Sequence, residues 1–168
     1  MRLSGIATES HADGPGLRYV LFTQGCLHQC PGCHNPESWE INAGKEFSVK
    51  QIIRMLKQQK KKIQGITFSG GEPFLQACEL AQIALAAHQI GWDVVTYTGY
   101  TYEQLIEMGN EDMNILALIL ESDLLIDGKY INKLQSKDFA FRGSSNQRII
   151  DIAQTQEKKQ IVLWQETH

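Results

Sequence analysis

Three of the four cysteines in this 168-residue chain lie within eight residues, at Cys26, Cys30 and Cys33. One loop can therefore wrap three thiolates around a single inorganic centre. A structural zinc site normally has four ligands, and an ordinary four-iron cluster is held by four cysteines. Three cysteines leave one iron of a 4Fe-4S cluster without a protein ligand. We therefore predict a 4Fe-4S cluster with one iron open to chemistry.

Two other kinds of site use similar residues. A structural zinc site would take its fourth ligand from His11, His28 or His34. An electron-transfer module without enzymatic activity is the second alternative. A disulfide framework is disfavoured, because three crowded cysteines leave one without a partner in a chain that has no secretory signal.

The fourth cysteine, Cys78, falls within a predicted helix. It shares a helical face with Leu75, Ala81, Gln82 and Leu85. Free cysteine is among the most buried residue types, so we predict that Cys78 is a small buried apolar residue. A fourth cluster ligand is the alternative.

The elements that must position the cysteine loop alternate between strands and helices. Apolar and β-branched runs predict strands at 17–24, 65–69, 92–98 and 123–127. N-cap and stop signals predict helices that begin near Ser48, Pro73 and Thr101. The run 115–120 fits a helix or a strand, and 161–164 is a candidate final strand. The first strand ends at the cysteine loop, and sites in parallel α/β sheets collect at the carboxyl ends of strands.

This pattern predicts an α/β fold, and the absence of linkers and repeats predicts one domain over 1–168. The chain is too short for a complete eight-unit barrel, which typically needs about 250 residues. At about 30 residues per strand-helix unit there is room for five or six units. Net charge is −3, which does not indicate a broad basic face for nucleic acid. Residues 1–10 lack the apolar region of a signal peptide, and no run has the length of a membrane span. We expect a cytoplasmic protein that contacts neither nucleic acid nor membrane.

A second motif, Gly70-Gly71-Glu72-Pro73, follows the second predicted strand. Alone it is a turn into a helix, but together with the Cys-x3-Cys-x2-Cys spacing it resembles the radical S-adenosylmethionine (SAM) enzymes. The resemblance implies a partial (β/α) barrel in which the open iron chelates SAM. One electron then cleaves SAM into methionine and a 5'-deoxyadenosyl radical. Gly70, Gly71 and Glu72 would bind the amino end of SAM, and glycines allow the close approach of backbone to ligand.

The same resemblance suggests the remaining SAM contacts. Gly32, Cys33 and His34 would lie on the adenine side, and Thr98 belongs to a turn that lies near SAM in the family. The residue before the third cysteine is often aromatic in radical SAM enzymes, whereas here it is Gly32. The residue after the third cysteine is often tyrosine in the narrower group, whereas here it is His34.

Further motifs resemble the activases of glycyl radical enzymes. They are Asp13-Gly14-Pro15-Gly16, Gln24-Gly25-Cys26, Cys33-His34-Asn35 and Trp39. Three more stretches are similar to the activases that serve the anaerobic, class III ribonucleoside-triphosphate reductase, namely Tyr97-Thr98-Gly99-Tyr100, Leu125-Ile126-Asp127-Gly128-Lys129 and Arg142-Gly143-Ser144-Ser145-Asn146-Gln147. This resemblance implies an oxidoreductase that places a glycyl radical on the reductase.

The resemblance also implies partners. They are the large subunit of the reductase and a flavodoxin-like electron donor, with a homodimer as one option for the oligomeric state. The polar stretch 141–148 has little helix signal, and Arg142, Ser144, Asn146 and Gln147 are candidates for contacting the reductase. Alternatives within the superfamily are an activase of another glycyl radical enzyme, such as pyruvate formate-lyase, and a 7-carboxy-7-deazaguanine synthase. Asp127 at a predicted strand end is either a turn former or a functional carboxylate.

Overall fold

A computed structural model describes residues 1–59, 62–135 and 140–165. The described residues form one sheet of seven strands, in the order β3-β1-β2-β4-β5-β6-β7. The strands are β1 (Arg2–Ser10), β2 (Arg18–Thr23), β3 (Lys45–Glu46), β4 (Gly65–Gly70), β5 (Asp93–Tyr97), β6 (Leu124–Asp127) and β7 (Arg148–Asp151). The helices are α1 (Val49–Lys57), α2 (Ala77–Gln89), α3 (Tyr102–Met108), α4 (Met113–Leu120) and α5 (Ile152–Lys158). The predicted α/β class is confirmed.

The centre of the sheet consists of four parallel strands, β2, β4, β5 and β6. Antiparallel strands flank this centre, with β1 and β3 on one side and β7 on the other. The parallel part of the described chain therefore holds fewer strand-helix units than the five or six expected. The expectation was too high because β1, β3 and β7, together with the long loop after β2, take up residues that the length estimate assigned to repeating units.

Alternate residues of the parallel strands face opposite sides of the sheet. Tyr19 and Leu21 of β2 pack into the main core together with Ile66 and Phe68 of β4 and residues of α1, α2 and α4. On the other side, Val95, Ile126 and Ile149 form a smaller buried cluster. Helices thus cover one face of the sheet, and the other face is available for the candidate site.

Helix α2 corrects the prediction for Cys78, which is exposed. The buried residues of α2 include Leu80, Ile83 and Ala87. Leu85 and Gln82, which share the face of Cys78, are also exposed. Apolar residues occur on two sides of this helix, and the sequence pattern favoured the wrong one.

The ambiguous run 115–120 lies within α4, where Ile115, Leu118 and Ile119 are buried. The candidate strand 161–164 contributes only an isolated bridge between Leu163 and Ile150. No helix within the described residues has both the length and the apolar character needed to cross a membrane.

Candidate functional site

A cavity of about 480 Å³ opens at the carboxyl ends of the parallel strands. It receives residues that follow each of these strands. Its lining includes Cys26, Cys30 and Cys33 after β2, Gly70 and Gly71 at the end of β4, Thr98 and Gly99 after β5, and Gly128 after β6. The structure therefore brings the predicted cysteine loop and the glycine turn to one place.

The cysteine loop and the glycine turn are joined directly through the backbone. The Glu72 N–H donates to the Gly25 carbonyl at 2.8 Å, and the Gly71 N–H donates to the Thr23 carbonyl at 2.8 Å. A side chain at position 71 would collide with the Gly25 carbonyl oxygen, so the close approach requires glycine. The two motifs therefore form one unit.

The chain after the cysteines holds the loop from its other side. The Gly25 N–H donates to the Ser38 carbonyl at 2.7 Å, and the Cys26 N–H donates to the Trp39 carbonyl at 3.1 Å. Cys26 is buried, and Cys30 and Cys33 are half-buried. The three cysteines consequently line the cavity from a loop whose first residues are hydrogen-bonded to the chain that follows it.

Burial is the largest influence on two of the thiols. It raises the pKa of Cys26, and the negative charge of Glu72 adds to this rise, while backbone hydrogen bonds from the following residues lower it. Burial also raises the pKa of Cys30, against a lowering by a backbone hydrogen bond from Tyr130. Metal ligation requires thiolates, so iron binding at this loop would release protons.

The donor set fits an iron-sulfur cluster. Cys26, Cys30 and Cys33 belong to one loop and all line one cavity. In an iron-sulfur cluster, separate iron atoms take separate thiolates. The residues present at this loop therefore fit a 4Fe-4S cluster.

Glu72 lies in the wall behind the cavity, where its side chain is 1% exposed. One carboxylate oxygen, Oε1, accepts hydrogen bonds from the Phe74 N–H at 3.1 Å and the Thr98 hydroxyl at 2.9 Å. The other, Oε2, accepts from the Gly99 N–H at 2.9 Å and lies 2.8 Å from Nε2 of His28. Four groups of the protein therefore surround this carboxylate.

The three histidines considered as zinc ligands lie in different places. His28 pairs with Glu72, and its ring meets Tyr100 edge-on at a centroid distance of 4.5 Å. His34 lines the cavity beside Tyr130, with ring centroids 4.9 Å apart. His11 is exposed.

Gly32 has a φ of +79° and packs against Asn132.

The residues of the polar loop predicted to contact a partner fall into two groups, those that line the cavity and those that make hydrogen bonds within the protein. Arg142 and Gln147 line the cavity. Gln147 is also used internally, because its Oε1 accepts from the Gly143 and Ser144 N–H groups and its Nε2 donates to the Gly128 carbonyl. The Ser144 hydroxyl accepts from the Ile131 N–H, and the Asn146 side chain donates to the Lys129 carbonyl.

Asp127 belongs to a structural ion pair. Both of its oxygens accept from Arg148 of β7, and Oδ2 also accepts from the Tyr102 N–H at the start of α3. Of the two interpretations left open by the sequence, the structure therefore favours the structural one.

Two aromatic residues that line the cavity were not singled out from the sequence. They are Phe22 and Tyr130. Phe22 follows Leu21, a core residue, so strand alternation would have placed it on the opposite face. Tyr130 lies outside regular elements and gave no comparable signal.

A family model described as a 4Fe-4S single cluster domain matches residues 12–150. This match covers the cysteine loop and every strand that contributes to the cavity. Together with the three thiols it defines the class of the protein, which is an iron-sulfur protein with a single-cluster domain.

Similar proteins narrow this class. The chain is 38% identical over 143 residues to the anaerobic ribonucleoside-triphosphate reductase-activating protein of Escherichia coli (strain K12), covering 80% of this chain and 88% of that protein. The proteins of the same name from Enterobacteria phage T4 and Vibrio cholerae are 34% and 33% identical, each over 82% of this chain and over 85% and 89% of their own lengths. The chain belongs to the family of anaerobic ribonucleoside-triphosphate reductase-activating proteins. The predicted cluster domain and the predicted resemblance to these activases are confirmed.

Proposed function

We propose that this protein activates anaerobic ribonucleoside-triphosphate reductase by reductive cleavage of SAM at a 4Fe-4S cluster. Family membership supports the reductase as target. The observation that carries the proposal is the direct backbone contact between the cysteine loop and the Gly70–Glu72 turn at the edge of one cavity. A protein that only stores a metal or carries an electron has no need for this second motif.

Cys26, Cys30 and Cys33 would hold the cluster. A cluster and SAM bound there would supply radical chemistry at the 5'-deoxyadenosyl group, with a glycine Cα–H of the reductase as its target. The remaining task of the chain is to orient SAM, to exclude water and to admit the glycine-bearing segment. No general acid or base is required for the hydrogen transfer.

The glycine turn would bind the amino end of SAM. Gly70 and Gly71 present backbone to the cavity, and Glu72 holds the turn in place from behind as well as supplying negative charge near an ammonium group. Cys33 and His34 line the other part of the cavity, where they and Gly32 would meet the adenine. Thr98, which lines the cavity and bonds Glu72, would complete the site.

The fold proposed for this function is a single radical SAM domain over 1–168, in which the sheet forms a partial (β/α) barrel. Helices on one face and the cavity on the other support this interpretation. Arg142 at the cavity, in a loop shaped by Ser144, Asn146 and Gln147, would contact the reductase. A flavodoxin-like protein would supply the electron, and a homodimer remains our proposal for the oligomeric state.

The first test is the electron paramagnetic resonance (EPR) spectrum of the anaerobically reconstituted, reduced protein, recorded without and with SAM. We expect a 4Fe-4S signal that changes when SAM is added. Zinc in the metal analysis, or a spectrum that ignores SAM, would contradict the proposal. A Cys30→Ala variant should lose the signal, whereas Cys78→Ala, on the exposed surface of α2, should retain it.

The second test identifies the target. The reduced protein and SAM are mixed separately with the large subunit of the anaerobic reductase and with pyruvate formate-lyase, and a glycyl radical is sought by EPR. We expect the radical on the reductase. A radical on pyruvate formate-lyase alone would assign the protein to another glycyl radical enzyme.

A further inference from the structure

His28 lies on the cysteine loop, lines the cavity and reaches Glu72 beyond it. Its Nε2 lies 2.8 Å from Oε2 of Glu72, and its side chain is only 8% exposed. The two residues are 44 positions apart in the chain. An imidazole held by a buried carboxylate has a defined orientation, because the hydrogen bond and the surrounding protein both restrict rotation of the ring.

The ring of His28 occupies a space that only a glycine leaves open. A Cβ at Gly99 would overlap this ring. Tyr100, the next residue, meets the same ring edge-on at 4.5 Å between centroids. The turn after β5 is therefore shaped around the imidazole.

These contacts join three loops that follow three different strands. His28 belongs to the loop after β2, Glu72 to the turn after β4, and Gly99 to the turn after β5. Glu72 accepts hydrogen bonds from both of the other loops, since the Gly99 N–H and Nε2 of His28 converge on its Oε2. The side chain that completes this junction comes from between two of the proposed cluster ligands, Cys26 and Cys30.

We propose that His28 is a positioning residue, which fixes the cysteine loop against Glu72 and Gly99 and thereby sets where SAM meets the cluster. This inference rests on the proposed function. His28 is among the residues that line the cavity, but the role assigned here is exerted through its Nε2, which is committed to Glu72. It acts through the relative placement of the three loops, and small displacements of such supports have large effects on a site.

The test is an EPR titration of the reduced, reconstituted protein with SAM, which measures the SAM concentration at half-maximal spectral change. His28→Leu should keep the iron content and raise this concentration by about tenfold or more, as is typical when an outer support of a metal site is removed. His28→Gln retains an N–H donor at a similar reach and should restore most of the loss. His88→Leu is the matched control, because His88 also makes a hydrogen bond, to the Glu121 carbonyl at 3.0 Å, but lies on α2 outside the cavity.

Gly99→Ala perturbs the packing of the His28 ring against residue 99 without changing the histidine itself. The added methyl group should displace the imidazole and raise the half-maximal SAM concentration in the wild-type background. In the His28→Leu background, where the ring is absent, Gly99→Ala should add less than about a further twofold, since residues in contact are expected to be non-additive.

Three results would overturn the inference. His28→Leu could respond to SAM at the wild-type concentration, it could lose iron, or the two substitutions could act additively. The second result would assign His28 to holding the cluster. If the wild-type spectrum itself ignores SAM, the proposed function fails and the inference fails with it.

Discussion

Two buried carboxylates at the same end of the sheet have different surroundings. Glu72 follows β4 and Asp127 ends β6, and the side chain of each is 1% exposed. Both were visible in the sequence as acidic residues beside glycine at a strand end. Residue type, burial and position on the strand therefore do not distinguish them.

Their partners do distinguish them. Glu72 is bound by groups from the loops around the cavity, namely His28, the Thr98 hydroxyl and the Gly99 N–H, and by the Phe74 N–H of its own turn. Asp127 is bound by Arg148 of β7 and by the Tyr102 N–H of α3, and the same arginine continues to Glu103. The first carboxylate joins the loops around the candidate site, and the second joins an edge strand and a helix to the sheet.

Substitution of Glu72 should have the largest effect. In Glu72→Gln, an NH₂ group replaces one of the two acceptor oxygens, so the four groups around the side chain can no longer all be bound as they are by the carboxylate. We expect a loss of stability of about 3 kcal/mol, or about 6–12 °C in melting temperature. The response of the EPR signal to SAM should also disappear. A variant that melts normally and still responds to SAM would show that Glu72 is not the centre of the junction.

Substitution of the glycine near each carboxylate should follow the same order, with the larger loss of stability beside Glu72. Gly70 has a φ of +92°, and a Cβ there would lie 2.6 Å from the backbone nitrogen of Thr23. Gly70→Ala must therefore displace β2 or β4, at a cost of about 3 kcal/mol. Gly128 has a φ of +98°, but the nearest atom to its Cβ would be 3.6 Å away. Gly128→Ala should cost only the backbone strain, about 1–2 kcal/mol.

The two glycine variants are compared by apparent melting temperature, measured anaerobically on the reconstituted protein. Gly70→Ala should melt lower than Gly128→Ala and should respond more weakly to SAM. Equal melting temperatures would mean that the close contact between β2 and β4 is relieved without cost.

Asp127→Asn tests the structural carboxylate. Breaking a fully buried ion pair costs about 3–5 kcal/mol, but Arg148 is 31% exposed and retains Glu103. We therefore expect a smaller loss of about 2 kcal/mol, or about 4–8 °C in melting temperature. The SAM concentration at half-maximal spectral change should not move. A large rise in that concentration would give Asp127 a role in the site and remove the contrast with Glu72.

The sequence was sufficient to predict the local parts of the site. The cysteine loop, the Gly70-Gly71-Glu72-Pro73 turn and the strands before them are short motifs with strong apolar runs, and all appear where they were expected. The capping box of Ser48 with Gln51 and that of Thr101 with Gln104 also appear. These features depend on neighbours in the sequence, so they can be recognised without a structure.

The parts that could not be predicted depend on residues distant in the chain. β1 is half-exposed and β7 has only four residues, so neither gives a clear periodic signal. The contact of His28 with Glu72 spans 44 positions, and nothing in the loop indicates that its histidine points to that carboxylate. The difference between Glu72 and Asp127 is likewise set by the elements that happen to adjoin each strand end.

The smallest predicted effect concerns Glu103, which Arg148 links to Asp127, and this effect depends on pH. A hydrogen bond from Arg148 lowers the pKa of Glu103 to about 2. A carboxylate whose pKa is lower in the folded state stabilises the protein above its unfolded pKa, near 4.5, and loses this contribution as the pH falls towards 2. Because Glu103 is 59% exposed, solvent reduces the contribution to about 0.5–1 kcal/mol.

Urea unfolding of the metal-free protein measures the contribution of Glu103 to the free energy of unfolding. Glu103→Gln should be less stable than wild type by about 0.5–1 kcal/mol at pH 6, and the difference should shrink towards zero as the pH approaches 2. Glu107→Gln, on the exposed surface of the same helix, is the control for a lost charge on α3. If Glu103→Gln differs from wild type equally at both ends of this pH range, the ion pair with Arg148 does not contribute to folding. The Asp127 network would then end at Arg148.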